Sequence, residues 1–400
     1  MKLLIVGLCL QGNKGGAALS LCLRDRILDH FPDAELTWAL PSGADFADEA
    51  RWARTYGMDC IPTTSWGRMI TGRRGGHAWL RTLAHVDAVV DHCGVAWVGP
   101  PAGTREYALT RGRALHVYTA ALMRTPLLPW TQSYGPFSTP AIRAAARADL
   151  ARHEIVFCRG DQCVQTVREL LPDADARSFP DVAITLPWDR DAGRALRARF
   201  GVPDTDRVVT VSPSAVLYEK ASGTGTGNAH VREVADLVAG IRREGRTPLL
   251  VPHTFRQRDR RPSWCDAAVS RLVRERLGDA PCAIADEDLS AIDLKSLIAT
   301  ADVHVGARYH SIVASLSAGV PTVAMSWHEK YRDIMTQYGQ PDDVVAGGRG
   351  AGAELVARMA SVASRRDAVA ATLRAKGPAL VDAVHENARL FADMLRRAVA

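Results

Sequence analysis

Short apolar runs alternate with longer segments of helical periodicity along most of the chain, and this alternation limits the possible folds more than any other sequence feature. Continuous apolar strands separated by helices are typical of a parallel sheet covered by helices on both faces. We therefore predict an α/β protein. In the first half the predicted strands are Lys2–Leu8, Ala34–Leu40, Val86–Cys93, Pro126–Ser133 and Glu154–Cys158, and the predicted helices are Ala17–His30, Arg105–Met123, Pro140–Arg152 and Asp161–Leu171.

The pattern restarts at Arg207–Ser212, a run that resembles the first strand. Since 400 residues exceed what one hydrophobic core usually serves, the restart predicts a second domain. We expect one Rossmann-like, doubly wound parallel sheet over residues 1–190 and another over 191–400, with a cleft between them. From Gly352 the chain is expected to be helical, with an interruption at Gly377-Pro378. The later predicted strands are Pro248–Val251, Cys282–Ala285, Val303–Val305, Thr322–Ser326 and Val344–Ala346.

The net charge of +6 invites a nucleic-acid interpretation, but the distribution of the charges argues against it. Of the 50 cationic residues only six are Lys, and the Arg residues are spread through the chain beside Asp and Glu. No basic block is interleaved with aromatic residues, as a nucleic-acid footprint would require. We therefore expect no nucleic-acid partner, and expect a few Arg residues to bind an anionic substrate.

The first ten residues fit a buried strand that runs into the Gly-rich turn Gly12–Gly16 better than they fit a signal peptide. No segment approaches the roughly 20 apolar residues that a membrane-spanning helix needs, so we expect a soluble, cytoplasmic protein. The eight cysteines are scattered without a Cys-x-x-Cys pair, which favours reduced thiols and no structural metal. Neither a metal nor a bound cofactor is expected.

The strongest candidate site follows the predicted strand that ends at Gly306. Arg308 and His310 occupy the turn, and a helix over Ser311–Ala318 leads to Gly319-Val320-Pro321. A guanidinium beside helix N-terminal amides can bind an anion, and a histidine next to it can donate or accept a proton near neutral pH. The structural alternative is that Arg308 pairs with a neighbouring carboxylate and that His310 caps the helix.

Further polar residues follow the ends of other predicted strands, and we assign them to substrate binding. Asn13 and Gln132 are expected to bind acceptor hydroxyls, or else to satisfy backbone groups at the strand ends. Lys220 is either a phosphate-binding cation or a solvated loop residue, and His253 with Arg256 is either a second part of the site or a structural histidine beside a solvated arginine. The predicted substrate-binding residues are Asn13, Gln132, Ser212, Ser214, Lys220, His253, Arg256 and Ser311.

The run from Asp302 to Ala324 closely resembles the Arg-Leu-His signature region of polysaccharide pyruvyltransferases, with its small-residue helix and its Gly-Val-Pro exit. The segment Gln132–Phe137 resembles the Gln-Ser-x-Gly-Pro-Phe segment of that family. Other matching segments are Gly12–Gly16, Cys158–Asp161, Val211–Ser214 and Val251–His253. The resemblance extends from residue 1 to about residue 345, and Tyr309 stands where the family usually has Leu.

The resemblance implies a GT-B-like pair of domains, with the acceptor on the first domain and the donor on the second. It also implies that phosphoenolpyruvate is the donor and that two sugar hydroxyls are the acceptor, giving a pyruvate ketal on a glycan. In these terms Arg308 is the principal anion-binding residue and His310 is the proton donor or acceptor. The chain departs from the family at Gly16, where an Asp is usual, and after Ser212, where many members place an Arg that Lys220 is a candidate to replace.

Two other functions remain open at the level of sequence. A GT-B glycosyltransferase with a nucleotide-sugar donor would show the same two-half pattern, and Glu329 is the nearest acidic candidate for holding a ribose. A non-catalytic homologue that binds an anion is the second alternative. The sequence does not identify the acceptor. The candidates are lipid-linked glycans, free oligosaccharides and glycosylated small molecules. A lipid-linked acceptor would bring the protein close to a membrane surface. The oligomeric state is likewise not identified.

Overall fold

A computed structural model describes residues 1–41, 46–63, 76–98, 113–204, 207–256, 261–280, 282–327, 330–348 and 350–400. The chain forms two compact units. The first unit consists of residues 1–10, 19–182 and 382–400, and the second consists of residues 11–18 and 183–381. A single cut along the sequence, such as the predicted one at residue 190, cannot describe this division, because two short segments belong to the unit that is remote from them in sequence.

The first unit is built on a parallel sheet whose five strands have the order β3-β2-β1-β4-β6. Two shorter parallel pairs, β5 with β7 and β8 with β9, lie in the same unit. The strands are β1 (Lys2–Val6), β2 (Glu35–Leu40), β3 (Asp59–Pro62), β4 (Ala88–Asp91), β5 (Val95–Ala96), β6 (Leu127–Pro129), β7 (Ser133–Tyr134), β8 (Val156–Arg159) and β9 (Ala176–Phe179). The helices are α1 (Lys14–His30, in this unit from residue 19), α2 (Phe46–Thr55), α3 (Gly76–His85), α4 (Arg113–Met123), α5 (Pro140–Leu150) and α6 (Asp161–Leu170).

The second unit is built on a six-stranded parallel sheet of order β12-β11-β10-β13-β14-β15. Its strands are β10 (Val208–Ser212), β11 (Thr247–Leu250), β12 (Ala283–Ile284), β13 (Val303–Gly306), β14 (Thr322–Ser326) and β15 (Val344–Ala346). The helices are α7 (Arg190–Arg199), α8 (Ala215–Lys220), α9 (Ala229–Arg243), α10 (Asp266–Leu277), α11 (Ala291–Ile298), α12 (Tyr309–Ser317), α13 (Lys330–Gln337), α14 (Gly352–Ser364) and α15 (Arg366–Val399, in the first unit from residue 382).

The strand order of the second unit fixes where a ligand can bind. Numbered within the unit, the order is that of a Rossmann fold, in which the chain changes direction along the sheet between the first and fourth strands. These strands are β10 and β13, which are paired in parallel from Val209 with Val303 to Ser212 with Gly306. Ligands of such sheets bind outside the carboxyl ends of the strands at this switch point, and the residues that follow Ser212 and Gly306 lie there.

The structure confirms the predicted α/β class and its parallel sheets. The predicted bounds of β14 and β15 are those observed, and most other strands are shorter than predicted, by up to four residues at an end. The predicted helix Arg105–Met123 is described from Arg113 onward, and the rest of that prediction lies outside the described residues.

The predicted interruption at Gly377-Pro378 is wrong, because α15 runs through Pro378. Proline removes one helical hydrogen bond. Buried side chains on both sides of it, including Leu373 and Val384, keep the helix continuous because their packing outweighs that single loss.

Among the described residues, none of the helices has the length and apolar character needed to cross a membrane. The predicted cytoplasmic location stays a prediction. None of the eight cysteines, all of which lie in the described ranges, forms a disulfide bond. In the described part of the chain no group of three or more His, Cys, Asp and Glu residues is arranged to hold a metal ion.

Candidate active site

Arg308 lies at the switch point of the second unit, immediately before α12. Its Nε donates to both carboxylate oxygens of Asp266, at 3.0 and 2.8 Å, and its Nη2 donates to Oδ1 at 2.5 Å. Nη2 also lies 3.4 Å from Thr254 Oγ1. The Arg308 side chain is 16% exposed while Asp266 is fully buried. Burial lowers the pKa of Arg308, but the charge and hydrogen bonds of Asp266 raise it further, so that the net pKa is above its usual value and the guanidinium stays charged.

Asp266 joins three segments that follow different strands. Besides Arg308, it accepts a hydrogen bond from Ala215 N at 2.7 Å, after β10, and from Thr254 N at 2.9 Å, after β11. Its own backbone N–H donates to Thr254 Oγ1 at 2.7 Å. A buried carboxylate is tolerated when it is paired and hydrogen-bonded in this way. The carboxylate therefore fixes the orientation of the Arg308 side chain.

His310 is the second residue of α12, and it packs against the Gly-rich turn that opens α1. A Cβ built on Gly15 would overlap the imidazole Nδ1 of His310, so only glycine allows this approach. The turn is anchored by Asn13, whose Oδ1 accepts from Gly15 N at 3.1 Å. Lys14 anchors it further, since its N–H donates to the carbonyl of His253 at 3.1 Å.

The Lys14 ammonium is nearly fully buried and lies 2.6 Å from Asp288. Lys14, His253, Lys295 and His310 are the titratable residues that line a small cavity together with apolar side chains of α11 and α12. Lys295 donates to the carbonyls of Ile184 and Leu186 at 3.1 and 2.8 Å. The surroundings of His310 are thus rich in cationic and imidazole groups.

Two buried histidines lie behind the turn. Burial lowers the pKa of His253 to about 4, and the nearby His310 and Arg308 also lower it, while Asp266 opposes the shift. Burial lowers the pKa of His304 to about 3. His304 lies between Thr210 Oγ1 and Ser311 Oγ, at 3.0 Å from each. Both imidazoles are neutral at neutral pH.

The predicted serines lie in the hydrogen-bond network beneath the site. Ser311 Oγ donates to the carbonyl of Arg308 at 2.8 Å, and Ser212 Oγ donates to the carbonyl of Val251 at 2.7 Å. Ser214 is the N-cap of α8, and its backbone N–H donates to His230 Nε2 at 3.1 Å. All three serines are fully buried, which limits their access to a substrate.

The structure brings Asn13, His253, Arg308 and His310 together in the second unit, with the three serines beneath them. Arg256 stacks on Trp264 at 5.5 Å from the ring centroid. Lys220 is exposed at the end of α8 and lies over the Trp327 ring at 4.3 Å.

Gln132 belongs to the first unit and is fully buried. Its Oε1 accepts a hydrogen bond from Cys93 N at 3.1 Å, and its Nε2 lies 3.4 Å from Tyr134 Oη. Glu329 lies outside the described residues.

Asp266 and Lys14 were missed by sequence reasoning. Asp266 reads as an ordinary acidic residue in the first turn of a helix, and its carboxylate meets Arg308 across 42 positions of sequence. The sequence places Lys14 in the Gly-rich turn and indicates no separate role for it. The available signal was that each residue follows the end of a predicted strand, Lys2–Leu8 for Lys14 and Pro248–Val251 for Asp266.

A sequence model of the polysaccharide pyruvyl transferase family matches residues 13–329. No curated protein sequence matches the chain significantly.

Solved structures of low sequence identity share the fold. UDP-GlcNAc 2-epimerase from Neisseria meningitidis, bound to UDP-GlcNAc, has a TM-score of 0.59 at 9% identity, over 99% of this chain and 100% of that chain. Anabaena HepE, in complex with UDP and glucose, has a TM-score of 0.52 at 14% identity, over 96% and 99% of the two chains. The ADP-heptose lps heptosyltransferase II of E. coli has a TM-score of 0.50 at 12% identity, over 92% and 100%.

These likenesses show a GT-B-like fold and, at such identities, nothing about the substrate. The family match extends over most of the chain and includes the turn with Arg308 and His310. The chain is therefore a transferase, and it belongs to the polysaccharide pyruvyl transferase family.

Proposed function

We propose that the protein transfers pyruvate from phosphoenolpyruvate to two hydroxyls of a sugar and so forms a pyruvate ketal on a glycan or glycoconjugate. One hydroxyl oxygen bonds to C2 of the enolpyruvyl group while C3 gains a proton and becomes a methyl group. The second hydroxyl oxygen then replaces phosphate at C2. The two hydroxyls release two protons. A proton is gained at C3, which accounts for one of them, and the other leaves with phosphate. The family match and the Arg308–His310 turn at the switch point support this proposal.

The donor has an ionised carboxylate and an ionised phosphate at neutral pH, so its site needs cations and backbone N–H groups. Arg308 supplies a guanidinium whose direction is set by Asp266 and whose surface is partly exposed. The first turn of the nine-residue helix α12 begins one residue later and adds backbone N–H groups. We assign binding of the donor phosphate or carboxylate to this pair of features.

His310 is assigned to proton transfer at the enolpyruvyl group or the attacking hydroxyl. It follows Arg308 by two residues, and the turn at Gly15 restricts its ring. A fixed imidazole beside the bound anion meets the geometric need of general acid and base catalysis.

Lys220 is the candidate for the cation that the family more often supplies from the segment after β10. Its ammonium stacks on Trp327, which holds a flexible side chain near one position. We propose that it approaches the end of the donor not bound by Arg308.

Calorimetric titration with phosphoenolpyruvate tests the donor, with UDP and GDP as comparison ligands. We expect saturable binding of phosphoenolpyruvate to the wild type, loss of that binding in Arg308→Ala, and unchanged affinity in His310→Ala, which should lose turnover instead. Saturable binding of a nucleotide without binding of phosphoenolpyruvate would identify a glycosyltransferase. Equal and mild effects of the two substitutions would contradict the assigned roles, and binding of phosphoenolpyruvate without phosphate release in the presence of acceptor glycans would indicate a non-catalytic homologue.

A further inference from the structure

Trp264 presents a large apolar surface to solvent next to the candidate active site. It is 49% exposed and lies in the segment between β11 and α10. The guanidinium of Arg256 stacks on it at 5.5 Å from the ring centroid. The exposed half of the Trp264 side chain gains no burial energy in the folded protein, and aromatic side chains with polar groups beside them commonly form ligand-binding surfaces.

Two independent connections place Trp264 beside the reactive residues. Along the chain it precedes Asp266 by two positions, so their Cα atoms are at most about 7.6 Å apart, and Asp266 binds Arg308 directly. Through space, Arg256 Nη2 lies 3.2 Å from the Cβ position of Gly12. Gly12 begins the same turn that packs against His310. Trp264 and Arg256 therefore lie next to the two segments, around Asp266 and Gly12–Gly15, that contact Arg308 and His310.

We propose that Trp264 and Arg256 form a subsite that binds a pyranose ring of the acceptor. Both residues belong to the second unit, so this proposal differs from the expectation that the acceptor binds on the first domain. The apolar face of a pyranose can stack on the indole, which supplies contact area with only two side-chain torsions to restrict. The guanidinium of Arg256, which lies over the indole at 5.5 Å from the ring centroid, can donate N–H groups to hydroxyls or to an acidic substituent of a sugar bound beside it. This subsite rests on the proposed function in one respect, that the acceptor is a sugar.

Saturation-transfer difference NMR on the full-length protein tests the subsite without requiring turnover. The probes are the methyl glycosides of common hexopyranoses, with uridine as a comparison ligand. We expect transfer from the wild type to pyranose ring protons, and roughly tenfold weaker affinity in Trp264→Ala. Trp264→Phe should retain most of the affinity, because it keeps an aromatic face.

Trp188→Ala is the matched control, since Trp188 is 36% exposed in the same unit but precedes α7. It should bind the pyranosides as the wild type does. Three results would overturn the subsite. The first is an equal loss of pyranoside affinity in Trp264→Ala and Trp188→Ala, and the second is the absence of saturation transfer to every pyranoside. The third is Trp264-dependent transfer to uridine alone. Calorimetry with phosphoenolpyruvate reports separately on the donor. If phosphoenolpyruvate does not bind but pyranosides bind in a Trp264-dependent way, the subsite is supported and phosphoenolpyruvate is not the donor.

Discussion

At the scale of single residues, Asp266 does more than balance the charge of Arg308. Its two oxygens accept hydrogen bonds from Ala215, Thr254 and Arg308, which belong to segments after three different strands. Because a buried carboxylate is costly unless each oxygen is paired, this residue couples the positions of the three segments. The orientation of the Arg308 guanidinium is one consequence of that coupling.

We expect Asp266→Asn to lower the free energy of unfolding by about 3 kcal/mol, because it leaves the largely buried Arg308 without a charged partner. Denaturant unfolding measures the change. Asp279→Asn is the matched control, since Asp279 is exposed at the end of α10, and its effect should stay within about 0.5 kcal/mol. Similar values for the two variants would show that the Arg308–Asp266 pair does not stabilise the fold.

Two residues should make stability depend on pH. Burial holds the pKa of His253 at about 4 and that of His304 at about 3, below the ordinary value of 6.5. The unfolded chain therefore binds more protons below pH 6.5, so stability is complete above that pH and is lost as the pH falls toward 4. Each histidine should contribute a slope of about 1.4 kcal/mol per pH unit in this window.

Urea unfolding of His304→Gln between pH 7 and pH 4 tests this expectation, and the slope should decrease by the share of one histidine, about 1.4 kcal/mol per pH unit. His77→Gln, a change at an exposed histidine of α3, serves as the control and should keep the wild-type slope. An unchanged slope in His304→Gln would mean that His304 is protonated in the folded protein.

At the scale of secondary-structure elements, the first turn of α1 acts as a support for His310. Asn13 caps it and Lys14 is bound to Asp288 and to the carbonyl of His253. With the turn held in this way, Gly15 has little freedom to move away from the imidazole.

If the proposed reaction is right, Gly15→Ala should reduce turnover at least roughly tenfold by displacing His310, while the affinity for phosphoenolpyruvate stays near the wild-type value. Gly377→Ala is the control, because a Cβ at Gly377 would meet nothing within 4 Å in the described part of the chain. That change should leave turnover unchanged and stabilise α15 slightly. Loss of donor affinity in Gly15→Ala would place the effect at Arg308 instead.

The same elements show which parts of the structure a sequence can predict. β14 and β15 were predicted with their observed bounds, because short apolar runs end there at Gly, Pro or polar residues. The break predicted at Pro378 is wrong. The backbone preference of proline favours the end of a helix there, but tertiary packing keeps α15 continuous. Asp266 was missed because its role depends on a partner that is distant in sequence, and no local pattern reports such a contact.

At the scale of the whole molecule, the two units each have their own sheet, yet the last helix is shared between them. Phe391 on α15 packs against Trp130 and Phe157 of the first unit, with ring centroids 4.7 and 6.2 Å apart. Asn387 accepts a hydrogen bond from Thr131 Oγ1 at 2.7 Å. The C-terminal segment is thus part of the N-terminal core.

We expect removal of residues 382–400 to destabilise the first unit specifically, because it exposes the surface under Phe391. Hydrogen exchange followed by mass spectrometry should show faster exchange in peptides containing β6 and β8, and unchanged exchange in β10 and β13. Removal of the exposed residues 398–400 is the control and should leave both regions unchanged. Equal acceleration in both units would indicate that they unfold as one cooperative body.

The crossing of short segments between units also has a consequence for how this protein can vary in evolution. Recombination at a single point between residues 18 and 183 would take residues 11–18 from one parent and the rest of the second unit from the other. The glycine that accommodates His310 would then come from a different lineage than His310 itself. Chimaeras of this kind should retain activity only when the parent that supplies residues 11–18 has glycine at position 15, so Gly15 and His310 are under joint selection.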